Sequence, residues 1–201
     1  VRKCSRTFSS MCTYLEEYPE FVFSQGQAQL YKYTRENYPA VYEKIKRFVK
    51  EGRWEVASSM WVEPDCNLIS GESLVRQIIH GKKFSMDEFG ADVDFVWLPD
   101  VFGYSAAMPQ ILQKCGIKYF STQKISWNQF NRFPHSTFIW KGIDGTGVFS
   151  HFLPSNCYNG LFTCGEMRFT AFNFNEKDRC SNILYSFGYG DGGGGVSREE
   201  I

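Results

Sequence analysis

The stretch FVWLPDVFGYSAAMPQILQKCGIKYFST, residues 95–122, decides the fold. Phe95–Leu98 is a short apolar run of strand length, Ala106–Cys115 has the spacing of a helix, and Lys118–Thr122 is again strand-like. The same alternation continues outward on both sides. Upstream lie a strand at Phe21-Val22-Phe23, helices over 27–36 and 39–50, a strand at Trp54-Glu55-Val56 and a helix over 72–81. Downstream come strands near 137–140 and 147–152, a poorly patterned stretch at 155–180, and a last strand at Ile183–Phe187. Strands alternating with helices at this spacing predict an α/β fold, a parallel sheet with helices packed outside it, open or closed as a barrel. Chemistry in such folds sits in the loops at the carboxyl ends of the strands.

Both ends read as interrupted. Val1, Cys4, Phe8, Met11, Cys12 and Leu15 recur at three- and four-residue steps, so a helix runs from the first residue. Ser197-Arg198-Glu199-Glu200 is a capping-box pattern that begins another helix at the last residues. The expectation is a fold incomplete at both ends, the interior of a longer polypeptide.

Composition narrows the function. The 201 residues carry 22 basic and 22 acidic side chains, which argues against a nucleic-acid or acidic-membrane binder. No apolar run approaches the roughly 20 residues that span a bilayer. The 19 Phe, 11 Tyr and 5 Trp residues are too many for a disordered chain. Neutral charge with an aromatic surplus suits a sugar-binding cleft, although a plain core has the same composition. Seven cysteines without a C-x-x-C pair fit neither a disulfide framework nor a zinc knuckle, and reduced thiols in the cytoplasm suit them best.

Three loops after strands concentrate polar chemistry. In Pro99-Asp100-Val101-Phe102-Gly103-Tyr104 a carboxylate stands at the end of a buried strand. Ser105 can cap the following helix, which frees Asp100 for catalysis or ligand binding. Trp61-Val62-Glu63-Pro64-Asp65-Cys66-Asn67 places two carboxylates, an amide and an indole just beyond another strand, a set suited to hydroxyl-rich ligands or to a simple turn. Gly188–Gly195 matches G-x-G-x-x-G and admits a nucleotide-binding module. Against that reading, Asp191 would repel a pyrophosphate; the loop reads better as open backbone that brings Asp191 to a ligand. Lys124 and Trp127 are cleft candidates by position. His151, at a strand end, is the histidine closest to a cleft, while His80 and His135 read as surface residues.

Taken in order, Trp61-Val62-Glu63, Ser70–Gln77, Trp97–Ser105, Thr122–Asn128, Phe133-Pro134-His135 and Gly188–Gly195 resemble glycoside hydrolase family 38 α-mannosidases, in the branch of the cytosolic animal enzyme and its fungal vacuolar and bacterial relatives. The resemblance implies that residues 1–201 are part of one N-terminal catalytic domain, a seven-stranded β/α barrel. It implies a metal-dependent retaining α-mannosidase acting on terminal α-linked mannose of oligosaccharides in the cytoplasm, with room for a homo-oligomer. It assigns Asp100 as nucleophile and as ligand of one divalent metal, zinc or cobalt. Asp191 becomes the acid/base, and Trp61, Glu63, Asp65, Phe102, Lys124 and His151 become sugar-pocket residues. The other metal ligands would lie outside this chain, so the resemblance implies an inactive fragment. A non-catalytic sugar-binding remnant is the alternative. Ser58-Ser59 stand where the family usually has Gly-Gly, Cys66 where it has Gly, and Val196 where it has Pro.

Overall fold

The computed structural model describes residues 1–201. The elements, in order, are α1 (Arg2–Glu17), β1 (Phe23–Gln25), α2 (Ala28–Asn37), α3 (Pro39–Lys50), β2 (Trp54–Val56) and α4 (Gly71–Phe89). There follow β3 (Phe95–Leu98), α5 (Met108–Lys114), β4 (Tyr119–Thr122), β5 (Thr137–Lys141), β6 (Gly147–Phe152) and α6 (Cys164–Asn173). Short 3-10 turns occupy Lys124–Trp127 and Arg198–Glu200. No helix is long and apolar enough to cross a membrane.

Six strands form two sheets. β1 and β2 pair in parallel, and a four-stranded sheet runs β3-β4-β6-β5. Within the larger sheet, β3, β4 and β6 are parallel and β5 is antiparallel to β6. The expected α/β fold is present with a mixed rather than wholly parallel sheet, and six strands in two sheets stand where a seven-stranded barrel, incomplete at both ends, was expected. Two physical causes account for this. Only residues 142–146 separate β5 from β6, far too few for a parallel crossover, which needs a dozen or more. Ile183–Phe187, expected as a strand, makes a single bridge, Gly160 with Phe187, and so adds no strand to either sheet.

Other boundaries moved for local reasons. The first strand lies at 23–25 rather than 21–23, because the Arg53 guanidinium takes the carbonyls of Tyr18 and Phe21 at 2.5 and 3.2 Å and withdraws that segment from the ladder. α4 runs on to Phe89, since its buried face continues through Gly81, Phe84 and Ser85, two of them small. Left-handed Gly90 then stops it. The stretch expected to lack pattern contains α6, capped by the Thr163 hydroxyl, which accepts the Glu166 N–H at 3.2 Å.

Two hydrophobic cores flank the junction between the sheets. The first packs α1, α2 and α3 on β1 and β2 around fully buried Trp54, whose indole N–H donates to the Tyr31 hydroxyl at 2.9 Å. The second packs α4 and α5 on β3 and β4 through Leu74, Ile78, Val96, Leu98, Leu112 and Phe120. The seven cysteines are all unpaired, and burial pushes the Cys12 and Cys66 thiols up to about 12.

The sheets meet at Ser59, which is fully buried. Its N–H donates to the Phe95 carbonyl at 3.0 Å, and its hydroxyl reaches the carbonyls of Val93 and Phe95 at 2.9 and 2.6 Å. Gly81 of α4 lies directly against this backbone; a Cβ there would overlap the Ser59 carbonyl oxygen and stand 2.7 Å from the Met60 carbonyl carbon. In an ordinary exposed helix, Gly→Ala stabilises by about 1 kcal/mol. Here the sign reverses: Gly81→Ala is expected to destabilise by roughly 1–3 kcal/mol through overpacking, read as a lower urea midpoint at unchanged slope.

Candidate active site

Parallel register aligns the carboxyl ends of three strands. Leu98 pairs with Thr122 and Thr122 with Phe152, so the loops after β3, β4 and β6 emerge side by side. Asp100 comes from the first loop, Gln123 and Lys124 from the second, and Asn156, Tyr158 and Asn159 from the third. Together with Asp191 they line a cleft of about 330 Å3.

The Asp100 loop is held from several sides. The Tyr104 hydroxyl lies 2.5 Å from Thr122 Oγ1 and within 3.3 Å of the Leu98 and Val101 carbonyls. The Gln123 amide donates to the Pro99 carbonyl at 3.2 Å. Glu63 accepts the backbone N–H of Asp100. Gly103 makes the turn possible: its φ is +147°, and a Cβ would run into the Asn67 amide. Ser105, expected to cap the following helix, instead closes a turn before it, its hydroxyl accepting the Ala107 N–H at 3.2 Å; α5 begins after Ala107 without a side-chain cap, and the Asp100 carboxylate takes no part in capping.

That carboxylate faces an ammonium. Lys124 Nζ lies 2.8 Å from Asp100 Oδ1, with the lysine side chain 4% and the aspartate 42% exposed. The ammonium also sits 3.5 Å from the Trp127 ring centroid and 5.1 Å from those of Phe102 and Tyr158. A desolvated cation over aromatic faces is favourable by about 2 kcal/mol or more. Burial, with the nearby charges of Asp100 and Asp191, pushes the Tyr158 phenol up to about 12.

Asp191 arrives on the glycine loop. Tyr189 N–H donates to the Gly195 carbonyl and Gly194 N–H to the Tyr189 carbonyl, both at 2.6 Å, closing the loop on itself. The Thr7 hydroxyl of α1 donates to the Gly193 carbonyl at 2.6 Å. Asn159 Oδ1 accepts the Asp191 N–H at 3.0 Å and orients the residue toward the cleft. A phosphate cradle follows directly on a strand, whereas the segment before these glycines makes a single bridge.

The structure brings Asp100, Asp191, Phe102, Lys124 and Trp127 together and places four other expected residues elsewhere. Trp61 packs edge-on against Phe84, its indole N–H donating to Gln29 at 3.0 Å. Glu63 lies behind Asp100 rather than in the cleft wall. Burial pushes its carboxyl up to about 7, with the Asp100 charge adding to the rise and the Asp100 N–H and Lys124 opposing it. Asp65 is exposed and closes a turn, accepting the Asn67 and Leu68 N–H groups at 2.8 and 2.7 Å, which hold its carboxyl below the usual range. His151 spans β5 and β6 through a 2.9 Å bond between Nδ1 and the Thr137 hydroxyl, and burial lowers its pKa. Sequence reasoning missed Gln123, Asn156, Tyr158 and Asn159. The last three follow β6, and the strand-end rule that found Asp100 would have found them too.

No three His, Cys, Asp or Glu side chains converge on a point that could hold a metal. The charge at Asp100 is balanced by Lys124 instead, so the residues of this chain do not by themselves make up a divalent-cation site.

The sequence profile of the glycosyl hydrolases family 38 N-terminal domain matches residues 1–201, and the chain belongs to that family. Alpha-mannosidase G of Dictyostelium discoideum is 48% identical over 96% of the chain and 18% of its own length. Alpha-mannosidase 2C1 of Homo sapiens is 44% identical over 98% of the chain and 19% of its own length. The chain thus spans about one fifth of the length of these curated relatives. A solved family 38 protein from Enterococcus faecalis superposes with a TM-score of 0.70 at 21% identity, covering 94% of the chain and 21% of that protein, which shows a shared fold.

Replacing Lys124 tests the aromatic cage. In the longer protein, Lys124→Met is expected to lower folding stability by about 1–2 kcal/mol, because the buried ammonium over the aromatic faces is lost while half-exposed Asp100 keeps water as its partner. Turnover is expected to fall at least about tenfold, with partial recovery in Lys124→Arg; thermal melts and steady-state kinetics on the same preparations separate the two effects.

Proposed function

We propose that residues 1–201 are part of one N-terminal catalytic domain of a longer retaining α-mannosidase, which removes terminal α-linked mannose from oligosaccharides in the cytoplasm. One observation carries the reading: Asp100 and Asp191, borne by separate loops, face a single cleft walled by Phe102, Trp127 and Tyr158. An uncharged sugar suits that cleft, because aromatic faces stack on a pyranose while the two carboxyl groups act on either side of the scissile bond.

A retaining mechanism uses two carboxyl groups about 5–5.5 Å apart. Asp100 attacks the anomeric carbon, the bond to the leaving oxygen breaks, and that oxygen takes the Asp191 proton, which yields a glycosyl ester on Asp100. Asp191, now a carboxylate, removes a proton from water. The hydroxide attacks the anomeric carbon and releases Asp100, with Asp191 protonated once more. Lys124 steadies Asp100 as an anion before attack and after release. The family resemblance adds dependence on zinc or cobalt. Asp100 is the one ligand this chain offers, the remainder lying elsewhere in the longer protein, and the isolated chain is inactive on this reading.

In the full-length enzyme, Asp100→Asn is expected to lower kcat on an aryl α-mannoside by on the order of 10^4-fold. Asp191→Asn is expected to cost about 10^2–10^4-fold on an aryl mannoside with a poor leaving group and far less on the dinitrophenyl mannoside, whose phenolate needs no proton. Substantial turnover by Asp100→Asn overturns the nucleophile. A wild-type enzyme that binds mannose without cleaving any α-mannoside would favour the sugar-binding remnant instead.

A further inference from the structure

Aspartate or asparagine followed by glycine is a pair prone to backbone rearrangement, because no side chain shields the glycine nitrogen from the neighbouring side-chain carbonyl. The pair occurs three times, at Asp144–Gly145, Asn159–Gly160 and Asp191–Gly192. We propose that Asp191–Gly192 is a site of spontaneous isomerisation, at which the second carboxyl group of the cleft is converted to isoaspartate. The site stands on its own geometry; its consequence for turnover rests on the α-mannosidase reading above.

The chemistry needs no reagent but water. The Gly192 nitrogen adds to Cγ of the Asp191 carboxylic acid. A C–N bond forms, and the amide proton leaves with the carboxyl hydroxyl as water, which closes a succinimide. A second water then opens the ring. Its attack on the Asp191 backbone carbonyl carbon breaks the bond from that carbon to the Gly192 nitrogen. The chain now runs through Cβ and Cγ, and the former backbone carbonyl is a free carboxylate on Cα. Composition is unchanged, but the backbone is one methylene longer and the carboxylate has moved.

The step requires a glycine N–H that is free to turn toward the preceding carboxyl group, and the three pairs differ in that freedom. At Asp144–Gly145 the Gly145 N–H donates to the Gly142 carbonyl at 3.0 Å. The Asp144 carboxylate accepts the Thr146 N–H at 3.0 Å, the Thr146 hydroxyl at 2.8 Å and the Gln110 amide at 2.7 Å. At Asn159–Gly160 the buried Gly160 donates to the Ser186 carbonyl at 3.1 Å and is covered by the Tyr185 ring. Asp191 and Gly192, both exposed, are the central residues of a turn closed by the Gly193 N–H on the Gly190 carbonyl at 2.9 Å, with Gly192 at a φ of +75°. Neither the Asp191 carboxylate nor the Gly192 N–H makes a hydrogen bond within the protein; the bond to Asn159 uses the peptide before Asp191. The peptide plane joining the two corners of such a turn rotates without breaking a hydrogen bond, the more readily with glycine at the second corner. Lys3 Nζ stands 2.7 Å from the place a Cβ would take on Gly192, a positive charge close to where negative charge develops as the nitrogen adds.

The test holds the full-length protein in native buffer at physiological temperature for days, then digests it and maps the peptides by mass spectrometry. Isoaspartyl peptides have the mass of their aspartyl forms, elute apart from them and resist an aspartate-specific protease. Isoaspartate is expected to accumulate at Asp191 at least about tenfold faster than at Asp144 or Asn159, because those pairs must first give up hydrogen bonds. Gly192→Ala is expected to slow accumulation at Asp191 several-fold, since a Cβ restricts the rotation. Turnover of an aryl α-mannoside by the wild-type enzyme is expected to fall in step with the rearranged fraction. No isoaspartate at Asp191, or equal accumulation at Asp144, overturns the site. Isoaspartate at Asp191 with undiminished turnover keeps the site and overturns Asp191 as the acid/base.

Discussion

The close approach of helix α4 to the backbone at Ser59 is the constraint on which the other arrangements depend. A helix normally stands off from a neighbouring chain by the thickness of its side chains, yet Gly81 removes that spacer. The contact lets one helix seat Leu74 and Ile78 in the second core while Phe84 reaches the first. Ser59 completes the junction by binding the carbonyls of Val93 and Phe95 with its hydroxyl and its N–H. Ser58 and Ser59 carry side chains at this junction because the residue without one, Gly81, lies on the helix.

Fixing β3 against that junction fixes the site. Once β3 is held at Phe95, the parallel register with β4 and β6 leaves no choice about where the loops after Leu98, Thr122 and Phe152 emerge. Asp100 then meets Lys124 because their loops follow adjacent strands. The carboxylate is held mainly through the backbone around it: its own N–H by Glu63, the preceding carbonyl by Gln123, and the following turn by Tyr104.

Local chemistry was legible where it followed from nearest neighbours. The βαβ core at 95–122, the capping box in which the Glu200 carboxylate accepts the Ser197 N–H at 2.7 Å, and the freedom of Asp100 from capping could all be read from spacing. What escaped depended on distant partners. The segment 183–187 makes one bridge, to Gly160, and its Tyr185 hydroxyl reaches the Leu161 carbonyl and the Glu166 carboxylate; no pattern within 183–187 announces either. α4 continues past His80 through Gly81 and Ser85, small residues that are core positions only because Ser59 lies against them. The antiparallel β5 was implicit in the short 142–146 connection. Trp61 and Asp65 belong to a segment whose composition suits a sugar site equally well as a turn, and Asp65 closes a turn through the Asn67 and Leu68 N–H groups.

The loop bearing Asp191 is pinned to α1 by the bond from Thr7 to Gly193, two residues 186 positions apart in sequence, and by the 2.8 Å ion pair of Arg198 with Glu17. Closing so long a segment costs chain entropy that the contacts at its ends must offset. Asp100 is held among sequence neighbours by the β3–β4 pair, whereas the position of Asp191 rests on an agreement between the first helix and the last loop. The cleft therefore joins one carboxyl group fixed by local structure to one fixed only by the tertiary fold, and a change in α1 at Thr7 or Glu17 reaches the second without touching the first.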